Sequence, residues 1–158
     1  MKKVLITGAG SYIGTSFEHY LTEHYPGMYD VCTVDMRNDG WRNMAFRGYD
    51  VVFHVAGIAH IKETDENAEL YYKVNRDLTV ECAKKALSEQ VPHFVFLSSM
   101  SVYGMNSGRI IKETEPSPTT NYGKSKLEAE NDLNILANQF PNTFTVAILR
   151  PPMIYGKG

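Results

Sequence analysis

The sequence predicts an α/β domain built on a doubly wound parallel sheet in three layers, and three observations carry that prediction. Short runs rich in β-branched, aromatic and other apolar residues recur at 4–6, 31–34, 50–56, 93–97 and 143–149. They lack the regular polar alternation of half-exposed strands, as strands covered on both faces require. Helical patterns separate most of these runs, as in β-α-β units whose crossovers pair strands in parallel. The first run also breaks into Gly8, Gly10 and Gly14 and restarts as a helix.

That first break is the natural place for a ligand. A buried strand, a glycine turn and a helix N-terminus together seat a pyrophosphate, because free N–H groups and the helix dipole both favour an anion. Here the spacing Gly8-x-Gly10-x-x-x-Gly14 is one residue longer at its end than the dinucleotide fingerprint GxGxxG. Residues 15–24 read as the first helix from Phe17, Tyr20 and Leu21, and Pro26-Gly27 stops it. The second strand, 31–34, ends at Asp35. An acid about 20 residues past the glycine turn accepts hydrogen bonds from an adenosine 2′-hydroxyl and repels a 2′-phosphate, favouring NAD over NADP. A strand-end Asp capping a turn is the alternative, and Arg37 tempers the NAD preference.

Residues 36–48, with Trp41 and Phe46, read as a loop with a brief helix. The third strand, 50–56, is interrupted only by His54 and runs into Gly57, where a ligand can approach the backbone. His54 and His60 have no carboxylate or cysteine pattern around them, so no metal is expected. Residues 65–90 form the longest helical pattern, with Leu70, Val74, Leu78 and Ala86 near one stripe and Asn75 within it. Val91-Pro92 ends it, and the strand 93–97 runs into Ser98-Ser99-Met100-Ser101-Val102-Tyr103-Gly104. Ligands lie outside the carboxyl ends of parallel strands, so these serines stand where chemistry would occur, a plain serine-rich loop being the alternative. After a loop, a helix begins at Tyr122 with Lys126 one turn on. That spacing stacks phenol and ammonium on one face, and a nearby cation lowers a phenol's pKa from about 10, giving a usable general base. The last strand, 143–149, runs into Arg150-Pro151.

Composition narrows the function classes. A chain of 158 residues with 43% hydrophobic content supports one domain with its own core. Its net charge of −2 offers no field that would draw it to nucleic acid or an anionic membrane. The apolar run after Met1-Lys2-Lys3 ends at Thr7-Gly8, too short for a signal-peptide core, and no stretch approaches a membrane span. Cys32 and Cys82 read as free thiols in a reducing cytosol, so a cytoplasmic protein is expected.

Taken together, Thr7-Gly8 with Gly14, Asp35, HVAG at 54–57, SSMSVYG at 98–104, YGKSK at 122–126 and LRPPMIYG at 149–156 resemble the extended short-chain dehydrogenase/reductase family. The match is to its NAD-dependent nucleotide-sugar epimerase/dehydratase branch, the UDP-glucose 4-epimerase-like enzymes. The resemblance implies a Rossmann dinucleotide-binding domain over residues 1–158 and a C-terminal half that grips the nucleotide-sugar and is absent here, without which the chain is expected to be inactive. It implies NAD held by Gly8, Gly10, Ser11, Tyr12, Ile13, Gly14, Asp35, Met36, Val55, Ala56, Gly57, Tyr122, Lys126 and Pro151.

The catalytic set implied by the resemblance is Ser99, Tyr122 and Lys126. Tyr122 would be base and acid, Lys126 would lower its pKa and hold the nicotinamide ribose, and Ser99, four residues before Tyr103, would hydrogen-bond the reacting hydroxyl. Proton and hydride leave a sugar carbinol to give a transient ketone, and hydride returned to the other face inverts the centre. The family's 4,6-dehydratases carry Asp-Glu after that Ser or Thr; Met100-Ser101 here leaves an epimerase or a simple reductase, the epimerase being the leading reading. An NAD(P)-dependent keto-sugar reductase or alcohol dehydrogenase is the alternative, and a non-catalytic dinucleotide-sensing module is a third. Ser11 replaces the middle glycine of the family's TGxxGxxG; its Cβ would crowd a pyrophosphate while its hydroxyl could donate to one. The short 36–48 connection omits a strand that in many relatives carries an acid near the adenine. The expected substrate is a UDP- or dTDP-sugar, and the helices around 65–89 and 122–139 imply a homodimer through a four-helix bundle.

Overall fold

In a computed structural model, which describes residues 1–59 and 61–156, the strands are β1 (Lys2–Thr7), β2 (Tyr29–Val34), β3 (Val51–His54), β4 (His93–Leu97) and β5 (Thr145–Leu149). They form one sheet in the order β2-β1-β3-β4-β5, parallel throughout. The helices are α1 (Tyr12–His24), α2 (Gly40–Asn43), α3 (Ala68–Tyr71), α4 (Leu78–Ser88) and α5 (Asn121–Gln139). Chain order reverses direction across the sheet between β1 and β3, which is where open α/β sheets leave a crevice. The doubly wound three-layer class is the one the sequence predicts.

Side chains alternate along each strand, so both faces of the inner strands β1, β3 and β4 take part in a core, while one side of the edge strand β5 stays exposed. Leu5, Val52, Phe94 and Phe96 bury one face against Cys82, Ala83 and Ala86 of α4 and Ala129, Leu133 and Leu136 of α5. Trp41 and Phe46 of the 36–48 connection join that core. Val4, Ile6 and Phe53 bury the other face against Ile13 and Phe17 of α1, with the Phe17 and Phe53 rings edge to face at 4.9 Å. Among the described residues, no helix is long and apolar enough to cross a membrane.

Two helices differ from the sequence expectation. α1 begins at Tyr12 rather than at residue 15, because the Ser11 hydroxyl accepts a hydrogen bond from the Gly14 N–H at 3.2 Å and caps it. The single helix expected over 65–90 is instead a 3₁₀ turn (Asp65–Asn67), α3, a π-helical segment (Tyr72–Asp77) and α4. Its buried face is Tyr71, Asn75, Thr79, Cys82, Ala83 and Ala86, whereas Leu70 is 42% exposed and Val74 and Leu78 are half-buried. Wider π turns rotate the stripe, and Asn75 and Thr79 are buried because each is hydrogen-bonded.

Thr79 leads to His54, which is fully buried at the end of β3. Its Nδ1 lies 2.9 Å from Thr7 Oγ1 and its Nε2 lies 3.0 Å from Thr79 Oγ1. The Thr79 hydroxyl donates to the Asn75 carbonyl at 2.8 Å, so it accepts from Nε2–H, and Nδ1 accepts from Thr7. Burial, followed by the charge of Lys126, pushes the imidazole down to about 3. A folded-state value below the ordinary 6.5 means that this stabilisation is complete above pH 6.5 and is lost as the pH falls toward 3. Urea unfolding is expected to show a loss on the order of 2 kcal/mol between pH 7 and pH 4.5 that is missing from His54→Gln.

Candidate active site

A cavity of about 900 Å³ opens at the carboxyl ends of the strands, at the crevice between the turns after β1 and β3. Ser11, Tyr12 and Ile13 line it after β1, and Val55 and Gly57 after β3. Ser99 enters it from the end of β4, Tyr122 and Lys126 from the first turns of α5, and Pro151 from the end of β5. Residues far apart in sequence are thus gathered by strand order alone. Among the described residues, no group of three or more His, Cys, Asp or Glu is placed to hold a metal ion. His60 lies outside the described residues.

The turn after β1 is an anion seat. Gly8 has φ +86°, and a Cβ there would stand 3.1 Å from the Ala56 N, so only glycine lets the turns after β1 and β3 approach. Gly10 borders open space, with nothing within 4 Å of where its Cβ would be. The N–H groups of Tyr12 and Ile13 at the start of α1 have no backbone acceptor among the described residues. Because Ser11 Oγ accepts from Gly14, its own proton remains free for a phosphate oxygen. These donors and the helix dipole suit a pyrophosphate.

Asp35 and Met36 do not line the cavity. The Asp35 carboxylate is forked by Arg37, whose Nε lies 3.0 Å from both oxygens and whose Nη2 lies 2.7 Å from one. That guanidinium holds the carboxyl at about 2, an ionised acceptor across the working pH range. Arg37 is 84% exposed, so solvent screens this pair. Met36 is buried in the main core with Trp41, so its side chain supports the turn rather than facing a ligand.

The catalytic candidates meet across the cavity. Ser99 caps the 3₁₀ turn Met100–Tyr103, its Oγ accepting from the Ser101 N–H at 3.1 Å. Lys126 is 4% exposed; its Nζ donates to the Leu97 carbonyl at 2.9 Å and sits 4.7 Å from the Phe96 ring centroid. Burial lowers the Lys126 ammonium to about 8, with Glu130 opposing. Burial raises the Tyr122 phenol, with hydrogen bonding from Ser99 opposing. The lowered phenol expected from the Tyr122–Lys126 spacing is therefore not present in this structure, because the ammonium is turned to Leu97. A Cβ on Gly57 would lie 2.9 Å from Asn75 Oδ1 and 3.2 Å from Lys126 Nζ, so Gly57 makes room for Lys126 itself.

Two residues that build the site carry no signal of that role in the sequence. Asn75, on the π-helical segment, accepts from the Ile58 N–H at 2.9 Å and donates to the Ile58 carbonyl at 3.0 Å and to Ser125 Oγ at 3.2 Å, pinning the loop after β3 to α5. Glu63 accepts from the N–H groups of Asn121 and Tyr122 at 2.9 and 3.0 Å, while Thr120 Oγ1 accepts from Gly123 at 3.0 Å. The first turn of the helix carrying Tyr122 is thereby capped by a carboxylate 58 residues earlier in the chain. Glu63→Ala is expected to cost about 1–3 kcal/mol in urea unfolding, and Glu63→Gln less, since it keeps an acceptor.

The sequence and the fold match known proteins over nearly the whole chain. The UDP-glucose 4-epimerase of Vibrio cholerae is 30% identical over 181 residues, covering 99% of this chain and 53% of that protein. A crystal structure of a UDP-glucuronic acid 4-epimerase from Bacillus cereus in complex with NAD shares the fold, with a TM-score of 0.81 at 23% identity over 98% of this chain and 58% of that one. MoeE5 in complex with UDP-glucose and NAD superposes with a TM-score of 0.80 at 25% identity, covering 94% of this chain and 53% of that one. The chain thus spans about half the length of these relatives. Residues 4–158 match the profile that such enzymes share, and on that match the chain belongs to the NAD dependent epimerase/dehydratase family.

Proposed function

We propose that this chain is the cofactor-binding half of a cytoplasmic NAD-dependent epimerase acting on a nucleotide-sugar, a UDP- or dTDP-sugar. The observation that carries this reading is the convergence of Ser99, Tyr122 and Lys126 on one cavity that runs into the anion seat at the start of α1. NAD, when bound, supplies the hydride acceptor and later the donor. Gly8, Gly10, Ser11 and the N–H groups of Tyr12 and Ile13 would hold its pyrophosphate, and Asp35 its adenosine ribose. Val55, Gly57 and Pro151 line the walls, and Gly14 and Ala56 are buried behind them.

The chain's own residues handle the proton. Ser99 fixes the sugar hydroxyl, and Tyr122 takes its proton as hydride leaves the same carbon, leaving a ketone. A phenol raised by burial needs positive charge nearby to act at neutral pH, and Lys126 on the same helix face would supply it on turning from the Leu97 carbonyl toward the phenol. Tyr122 then returns the proton to the ketone oxygen as hydride comes back to the opposite face. The order of charges matters: an ammonium lowered to about 8 is mostly protonated at pH 7 and loses its charge above pH 8. Activity governed by Lys126 is accordingly expected to fall on the alkaline side of about pH 8, read as a pH–rate profile.

A groove of about 550 Å³ between α4 and α5 exposes Ile135 at 57%, with Arg76, Glu81 and Asp132 at its rim. We assign it to a homodimer contact in which the same helices of two copies pair, measured by sedimentation. For the reaction, the deciding experiment is purification of the enzyme together with its sugar-binding half. An epimerase retains NAD through purification, visible in its ultraviolet absorbance, and interconverts a nucleotide-sugar without net oxidation. Net consumption of nicotinamide cofactor per turnover overturns the epimerase reading in favour of a reductase.

A further inference from the structure

Lys126 is an ammonium in a nearly closed place with thin compensation. Its hydrogen bond goes to a neutral carbonyl, its other contact is the Phe96 ring, and among the described residues no carboxylate touches it. Burying a charge on those terms is costly unless an opposite charge lies close by. One turn further along α5, at the i+4 position, is Glu130, itself only 1% exposed. Arg150, at the end of β5, forks it, with Nε 3.0 and 3.1 Å from the two carboxylate oxygens and Nη2 on one of them. Ser98, beside the candidate Ser99, donates to the same carboxylate, and Arg150 Nη1 reaches Tyr103 OH at 2.6 Å. The ends of β4 and β5, the 3₁₀ turn and α5 are thereby tied to one buried carboxylate.

Resting on the catalytic reading of Lys126 above, we propose that Glu130 is a positioning residue for Lys126: clamped by Arg150, it sets a fixed negative charge one helical turn away and keeps the buried ammonium charged. Arg150 keeps that carboxylate ionised and offsets part of its charge, while Lys126, whose Nζ is on the Leu97 carbonyl, has no hydrogen bond to Glu130 among the described residues, so the effect acts through space. The other titratable groups near Lys126 are neutral: His54 from β3 is held uncharged by burial, and Tyr122 on α5 is held protonated. Asn75, Gly57 and Phe96 bring no charge. Glu130 is thus the carboxylate whose field supports the ammonium.

The test is the titration of the Lys126 side chain in the cofactor-free chain, followed by NMR of labelled lysine and assigned by the signal lost in Lys126→Arg. Glu130→Gln keeps shape and hydrogen bonding but removes the charge, and is expected to lower the Lys126 midpoint by about one pH unit or more. Glu130→Asp keeps the charge and is expected to stay within about half a unit of the unaltered protein. If Glu130→Gln does not fold, the double variant Glu130→Gln with Arg150→Met, in which no buried charge is orphaned, is compared with Arg150→Met alone, and its Lys126 midpoint is expected to lie about one pH unit or more lower. An unmoved midpoint in Glu130→Gln, or an equal fall in Glu130→Asp, makes Glu130 a packing residue only and overturns the proposal. Because this titration is done without cofactor, failure of the chain to bind NAD would refute the cofactor reading and leave the electrostatic role of Glu130 to stand or fall on the titration alone.

Discussion

Tyr122→Phe in the enzyme carrying both halves is expected to lower turnover by about 10²–10⁴-fold while leaving NAD affinity within a few-fold. Phenylalanine keeps the ring, so the wall of the cavity and the edge contact with Tyr71, whose ring lies 6.5 Å away, are preserved. What is lost is the hydroxyl, the group proposed above to accept and return the proton. Ser99 is no substitute, since its Oγ already accepts from the Ser101 N–H and it has no partner base. The split between lost turnover and retained binding separates a general base from a residue that merely fills the pocket.

Arg150→Met is the second large effect, and it falls on stability: about 3–5 kcal/mol in urea unfolding. The substitution leaves the Glu130 carboxylate buried at 1% exposure with only Ser98 to satisfy it. It also strands Tyr103, whose hydroxyl meets Nη1 and whose ring lies 5.0 Å under the guanidinium. Adding Glu130→Leu to Arg150→Met should recover much of the loss, because a pair of apolar groups leaves no orphan charge.

The sheet was legible in the sequence because buried parallel strands announce themselves locally, as in Val51–His54 and His93–Leu97. So were the glycine turn after β1 and the helical spacing of Tyr122 and Lys126, which need only a few adjacent residues. The illegible parts depend on contacts between distant segments. Nothing near Glu63 says that it will cap a helix 58 residues on, and nothing near Asn75 says that its amide will hold Ile58, 17 residues back. The stripe expected at Leu70, Val74, Leu78 and Ala86 held at Ala86 and in part at Leu78 but not at Leu70: hydropathy sees apolar residues, whereas Asn75 and Thr79 are buried through hydrogen bonds and the intervening π turn shifts the face. The direction of the Tyr122 shift was hidden as well, since sequence shows the spacing of a phenol and an ammonium but not that Leu97 claims the ammonium.

Everything proposed for the reaction depends on the chain holding NAD across the crevice between β1 and β3, with Asp35 reading the adenosine ribose. Calorimetric titration of the chain with NAD and with NADP decides whether it does. The expected result is a saturable one-site isotherm with NAD, weaker binding of NADP, and a loss of about tenfold to a hundredfold in NAD affinity in Asp35→Ala, the worth of a hydrogen bond to a charged group. No heat with NAD, or tighter binding of NADP than of NAD, would refute it.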